Sequence, residues 1–111
     1  MIKGVGIDIV KVDRIKKMKE VYGVKFLNRI YSRRELEYSL RLSRPFETLA
    51  GKFAAKEAII KASGIKLPFK KIEILNNSTG APFTNIPNTK ISISHEKEYA
   101  IAIAITEEEQ T

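Results

Sequence analysis

The chain has no cysteine, which removes disulfide staples and thiolate metal sites and gives no sign of an oxidising compartment. It has no apolar run long enough to span a bilayer, and its start, Met1-Ile2-Lys3-Gly4, lacks the pattern of a signal peptide. The expectation is a cytoplasmic protein. P-loop, zinc-ligand spacing and a serine–histidine–acid arrangement are all missing. Gly4-x-Gly6 falls inside a strand pattern with no third glycine opening a helix, so it is not a dinucleotide fingerprint. Aromatic residues make up only 8% and form no clear stacking platform, which counts against a single-stranded nucleic-acid binder.

What is present fits one globular domain over residues 1–111, with 43% hydrophobic and 30% charged residues. Only the polar tail, Thr106 to Thr111, is expected to lack order. So short a chain has little depth for an active site, which raises the expectation of an oligomer whose copies share walls. The charge is unevenly placed. Between Lys11 and Arg34, nine basic residues face only Asp13 and Glu20, which accounts for the whole net charge of +7. One basic surface of this kind points to an acidic macromolecular partner.

Ile2 to Val10 alternates as a strand, with Lys3, Val5, Ile7 and Ile9 on one side and Gly4, Gly6 and Asp8 on the other. Glycines within a strand mark the close approach of another element. Val12, Ile15, Met18 and Val21 recur at helical spacing up to Gly23, and a short helix is expected around Phe26 to Tyr31. Ser32-Arg33-Arg34-Glu35 is a capping box opening a helix toward Leu42. Pro45 interrupts the chain before the longest helical pattern, Phe46 to Ser63, which Gly64 closes. Lys71 to Leu75 and Lys90 to Ser94 read as strands, and Tyr99 to Thr106 as the hairpin partner of the latter. The order strand, helices, strands predicts an α+β domain: a largely antiparallel sheet packed against a long helix.

On the long helix, Phe46, Ala50, Phe53 and Ala54 share a stripe expected to face the core, and Glu57 falls within it. A carboxylate there needs a cation or donors; the alternative is an ordinary i,i+4 pair with Lys61 at a helix edge. Asp8 is either the second carboxylate of a site or a strand-end aspartate in a turn. Two carboxylates from separate elements, with substrate phosphates, would satisfy magnesium. His95 ends a strand as a structural or a site residue. Of Lys52, Lys56 and Lys61, two are expected to be ordinary solvated charges.

Three segments taken together resemble the bacterial holo-acyl-carrier-protein synthases, of the 4′-phosphopantetheinyl transferase family. They are Gly4-Val5-Gly6-Ile7-Asp8-Ile9-Val10 with Arg14-Ile15; Phe53-Ala54-Ala55-Lys56-Glu57-Ala58-Ile59-Ile60-Lys61-Ala62; and Ser92-Ile93-Ser94-His95-Glu96-Lys97-Glu98-Tyr99-Ala100. The resemblance implies a homotrimer with sites between subunits. It implies magnesium-dependent transfer of the phosphopantetheine of coenzyme A to a serine of apo acyl carrier protein, releasing adenosine 3′,5′-bisphosphate. It also implies Asp8 and Glu57 as metal ligands and Lys61 as a pyrophosphate contact; Glu57 and Lys61 are the expected catalytic groups, with either Glu57 or a metal-bound water as the base for the serine. Lys52, Ser94 and His95 are implied in the nucleotide site and Arg14 as a carrier-protein contact; Ile15, Lys17, Met18 and Lys25 of the basic segment are expected to bind the carrier protein beside it. The chain departs from the family pattern at residues 63–68 and 76–82, where Gly80-Ala81-Pro82 lacks the usual lysine. The rival readings are a small basic nucleic-acid-binding module and a purely structural subunit.

Overall fold

The structure, a computed structural model, describes residues 1–109. Strand β1 (Ile2–Lys11) runs directly into α1 (Val12–Tyr22), and the turn between them is pinned by Val12 N–H donating to Glu98 O at 2.9 Å. Gly23, at φ +69°, ends α1 and starts α2 (Val24–Ile30). Ser32 caps α3 (Arg33–Leu40) with the full capping box that the sequence predicts. Pro45 occupies the first turn of α4 (Pro45–Ser63), where its missing N–H costs nothing, and Gly64 closes the helix in the left-handed conformation. A 3₁₀ turn (Phe69–Lys71) leads to β2 (Ile74–Asn76), β3 (Pro82–Thr84), β4 (Thr89–His95) and β5 (Tyr99–Glu107).

The main sheet has the order β1-β5-β4, antiparallel throughout; β2 and β3 form a separate antiparallel pair. The α+β class and the antiparallel sheet under a long helix are as expected. The two faces of the main sheet differ sharply. On one, Gly6, Asp8 and Val10 pair with Ala104, Ala102 and Ala100, and Ile91, Ile93 and His95 complete the rows. The middle of this face, Gly4 and Gly6 of β1 and the three alanines of β5, is small because α4 lies directly on it. A Cβ on Gly4 would sit 2.0 Å from Ala62 O, and one on Gly6 2.0 Å from Ala58 O. The close approach signalled by the two glycines is therefore the backbone of α4. On the opposite face, Val5, Ile7 and Ile9 stand beside Ile105, Ile103 and Ile101 with nothing over them, and Val5, Ile7 and Ile9 are each more than half exposed.

Several expectations need correction. Helix α4 is buried on nearly all sides, not along one stripe, because α1, α3, the main sheet and β2 surround it. Lys52 and Lys56 are buried at 2% and 0% exposure, so only Lys61 of the three lysines is solvated. Asp8 lies within β1, three residues before its end, and makes no strand-end turn. Ile15 is 1% exposed and packs in the core with Leu27, Tyr31 and Leu49, whereas Val21, on the same expected stripe, is exposed. Strand β3 was not expected, and the strand expected over Lys71 to Leu75 begins only at Ile74, because Lys71 closes the 3₁₀ turn Phe69–Lys71. Thr106 and Glu107 belong to β5, while residues 110–111 of the expected tail lie outside the described residues. No described helix is long and apolar enough to cross a membrane.

Candidate active site

Two groups of polar side chains flank α4. The first lies at the β1 edge. Phe53, Glu57 and Lys61 follow at i, i+4 and i+8, one ridge of the helix. Lys61 Nζ donates to Asp8 Oδ1 at 3.1 Å and to Ile7 O at 3.0 Å. The i,i+4 alternative is thus not realised: the lysine crosses to the strand. Glu57 is half-buried and, among the described residues, has no hydrogen-bond or ion-pair partner. At the start of the ridge the Arg14 guanidinium lies 5.3 Å from the centre of the Phe53 ring. The ridge therefore carries Glu57 and Lys61 one turn apart, and Lys61 joins it to Asp8 on β1, with Arg14 at its margin.

The second group lies at the β4 edge. His95 Nδ1 is 3.1 Å from Glu47 Oε1, and Arg44 reaches the other Glu47 oxygen at 3.8 Å. Gly51, one turn after Glu47, lets β4 come close; a Cβ there would lie 2.8 Å from Ile93 Cγ2. Lys52 donates to Ile74 O and, at 2.7 Å, to Asn76 Oδ1, and its ammonium sits 5.1 Å from the centre of the Tyr38 ring. Burial pushes its pKa down to about 8. Asn76 Nδ2 in turn donates to Gly80 O, so Lys52 fastens the turn after β2. Thr48, Lys52, Asn76, Gly80 and His95 line a cavity of about 110 Å³, next to a wider hollow of about 360 Å³ bordered by Tyr38, Arg44 and Glu47.

Ser94 does not join this group. It pairs with Ile101 on the uncovered face, while His95 pairs with Ala100 beneath α4. Adjacent strand residues point to opposite faces, so one chain cannot place both in one pocket. The alternation of β4 carries that signal in the sequence. Sequence reasoning missed Glu47 as the partner of His95; Gly51 offers a hint, since a mid-helix glycine at a close contact puts its i−4 neighbour on the same face. It also missed the pairing of Lys56 with Glu35. That pair, at 2.7 Å and fully buried, joins α3 to α4, and Lys56 also donates to Ile30 O and Phe69 O. Burial lowers the Lys56 pKa, against the pull of Glu35 in the other direction. Burial also raises that of Tyr31, whose hydroxyl donates to Leu49 O at 2.6 Å.

The basic segment forms a third feature. Met18, Tyr22, Phe26 and Ile30 floor a groove of about 460 Å³ between α1 and α2, with Lys25 and Arg29 on its rim. Lys17 is exposed and paired with Asp13 at 3.0 Å. Of the expected partner contacts, Met18 and Lys25 line the groove and Arg14 and Lys17 lie on the same helix, while Ile15 turns inward.

The family described as "4'-phosphopantetheinyl transferase superfamily" matches residues 4–104. The chain belongs to this superfamily. Among the superfamily's members, a holo-[acyl-carrier-protein] synthase of Thermodesulfovibrio yellowstonii is 51% identical, over 95% of this chain and 98% of its own length. Its counterpart in Halothermothrix orenii is 40% identical over 97% and 99%. Among solved structures, a holo-(acyl-carrier-protein) synthase of Bacillus anthracis, in complex with CoA (3',5'-ADP), matches with a TM-score of 0.84 and 39% identity over 95% of this chain and 96% of that one. A synthase of Neisseria meningitidis gives 0.87 and 30% over 97% and 100%. The transferase match spans β1, α4 and β4, the three elements that carry the polar groups. It leaves the nucleic-acid-binding and purely structural readings without support.

Proposed function

We propose that the chain, as one transferase domain over residues 1–111, is a holo-acyl-carrier-protein synthase. It transfers the 4′-phosphopantetheine of coenzyme A to a serine of apo acyl carrier protein. The serine oxygen bonds to the β-phosphorus, the bond from that phosphorus to the bridging oxygen breaks, and adenosine 3′,5′-bisphosphate leaves. The proton of the serine passes to Glu57 or to a water. Such a displacement needs alignment and charge neutralisation more than covalent chemistry.

The observation that carries this reading is the contact of Lys61 with Asp8 across the seam of β1 and α4, with the unpartnered Glu57 one helical turn before the lysine, in a chain of this family. Two carboxylates are a suitable donor set for magnesium, which takes its remaining ligands from water and substrate phosphates. No three potential ligand side chains cluster among the described residues, so the chain would supply no more than a pair to one ion. Bound there, magnesium would neutralise charge developing on the phosphates. Lys61 would hold the pyrophosphate and the hollow beside His95 and Lys52 the nucleotide. The groove beside Met18 and Lys25, with Arg14 and Lys17 near it, would take the acidic carrier protein.

A homotrimer is part of this reading. Asp8 and His95 stand on the outer strands with β5 between them and α4 across the face, so the two polar groups are separated within one chain. The uncovered aliphatic face offers a surface for neighbouring copies, and a site formed between copies could use both groups. Ser94, on that face, would contribute across such an interface. The setting is cytoplasmic, where coenzyme A and carrier proteins meet.

The test is incubation with coenzyme A, apo carrier protein and magnesium, followed by intact mass of the carrier. One phosphopantetheine should be added, and Asp8→Ala and Glu57→Ala should abolish the gain while remaining folded. Transfer by Asp8→Ala at limiting magnesium and normal rate would refute the metal assignment.

A further inference from the structure

Lys61 makes a contact that the reaction does not call for. Its side chain is 52% exposed and could point to water, yet its ammonium crosses from α4 to β1 and binds both Asp8 Oδ1 and Ile7 O. Asp8 is more enclosed, at 18%. Two acceptors on consecutive residues of one strand fix a long, flexible side chain in one place, at an entropic cost that an ordinary surface lysine avoids. The ammonium rests on the carboxylate that a metal ion would need. Glu57, one turn earlier, has no partner of this kind among the described residues.

A carboxylate that already has an ammonium at 3.1 Å is a poorer ligand for a second cation. The incoming ion must displace the lysine or suffer repulsion from it. A diphosphate changes the balance, because its oxygens can accept from the displaced ammonium. We propose that Lys61 is an internal counter-ion of the metal position. It competes with a bare divalent cation for Asp8 in the free protein and is drawn away by the diphosphate of the substrate. Metal and diphosphate then bind cooperatively, each raising the affinity for the other by the same factor. The inference rests on the magnesium reading above and adds to it an order of preference: the metal binds well only together with its substrate.

The test measures binding of Mn²⁺ alone by electron paramagnetic resonance, on the full chain, with and without coenzyme A. Without coenzyme A, Lys61→Met should bind Mn²⁺ about three- to tenfold more tightly than wild type, the range expected for removing a partly exposed ion pair and its repulsion of a neighbouring cation. Lys61→Arg should behave as wild type. The gain in Mn²⁺ affinity on adding coenzyme A should be smaller in Lys61→Met. Equal or weaker Mn²⁺ binding by a folded Lys61→Met overturns the proposal, and Lys61→Gln reads the same quantity should the methionine variant not fold. Failure of the magnesium reading has a different signature: Mn²⁺ bound by no variant even with coenzyme A, or bound undiminished by Asp8→Asn. Either result overturns both.

Discussion

Replacing Gly6 by alanine tests the link between sheet packing and catalysis. The added Cβ would meet Ala58 O at 2.0 Å, with Ala58 C and Ala62 N both at 2.9 Å. Real carbon contacts of this kind do not fall below 3.0 Å. All three atoms are helix backbone, so no side chain can rotate away, and β1 and α4 must separate by about 1 Å. Overpacking of this severity costs about 1–3 kcal/mol, and the upper half of that range applies because both sides are main chain. The lower entropy of the unfolded alanine chain offsets roughly 0.4–1 kcal/mol. The net loss, about 2 kcal/mol, leaves a domain of typical stability of roughly 5–15 kcal/mol folded. Its urea midpoint should fall by about 1 M. Activity should suffer more, because Asp8 is on the strand and Glu57 and Lys61 on the helix. Misplacing reacting groups by about 1 Å can cost on the order of 100-fold in rate. Gly23→Ala is the control, with rates compared at saturating carrier protein because Gly23 joins the two helices of the proposed docking groove: its φ of +69° makes alanine costly, but nothing lies within 4 Å, and Asp8, Glu57 and Lys61 stand on other elements. Urea titration and initial rates on both variants should show similar losses of stability, with the rate lost only in Gly6→Ala. A Gly6→Ala enzyme of normal rate, or two variants equally slowed, would refute the argument.

Three further outcomes are expected. Lys52 has a folded pKa of about 8 against 10.5 unfolded, so between those values the unfolded chain binds more protons and stability rises with pH; denaturation from pH 7 to 10 should show a steeper rise in wild type than in Lys52→Met, which keeps the same-signed contribution of Lys56, and parallel curves would remove the assignment. Arg14→Glu should raise the Michaelis constant for carrier protein severalfold and leave that for coenzyme A nearly unchanged, with salt weakening wild type in the same selective way; an equal loss for both substrates in steady-state kinetics would exclude the basic helix as a docking surface. Ile7→Lys puts a charge in the middle of the uncovered face and should reduce a wild-type trimer to monomer in light scattering with loss of transfer. A fully active wild-type monomer would sink the shared-site reading.

The boundaries of the elements were legible because single residues set them. Gly23, the Ser32 capping box, Pro45 and Gly64 each stop or start a helix for a local reason. The paired glycines of β1 likewise announced a close neighbour. The environment of α4 was not legible, since Lys52 and Lys56 are buried by partners from remote segments, Ile74 and Asn76 for one and Glu35, Ile30 and Phe69 for the other. Lysine in a helix looks solvated until those carbonyls are in place. Strand β3 is too short to show alternation and exists by pairing with β2. Family resemblance singled out Asp8, Glu57 and Lys61, and the fold joins Asp8 to Lys61 across β1 and α4, with Glu57 one turn before the lysine. The opposite orientations of Ser94 and His95 were written in strand periodicity and went unread.

The contact between α4 and the glycine–alanine face also governs motion. Side chains at an interface can change rotamer and let elements slide, but here backbone atoms of the helix rest on backbone and methyl groups of the strands. No soft layer remains to absorb a shear. The floor of the site is therefore a rigid plate on which the spacing between Asp8 and the Glu57 ridge is inherited from main-chain geometry. Adjustment to a ligand falls to the periphery: the exposed Lys61 side chain, the turn after Asn76, and the segment from Gly64 to the 3₁₀ turn.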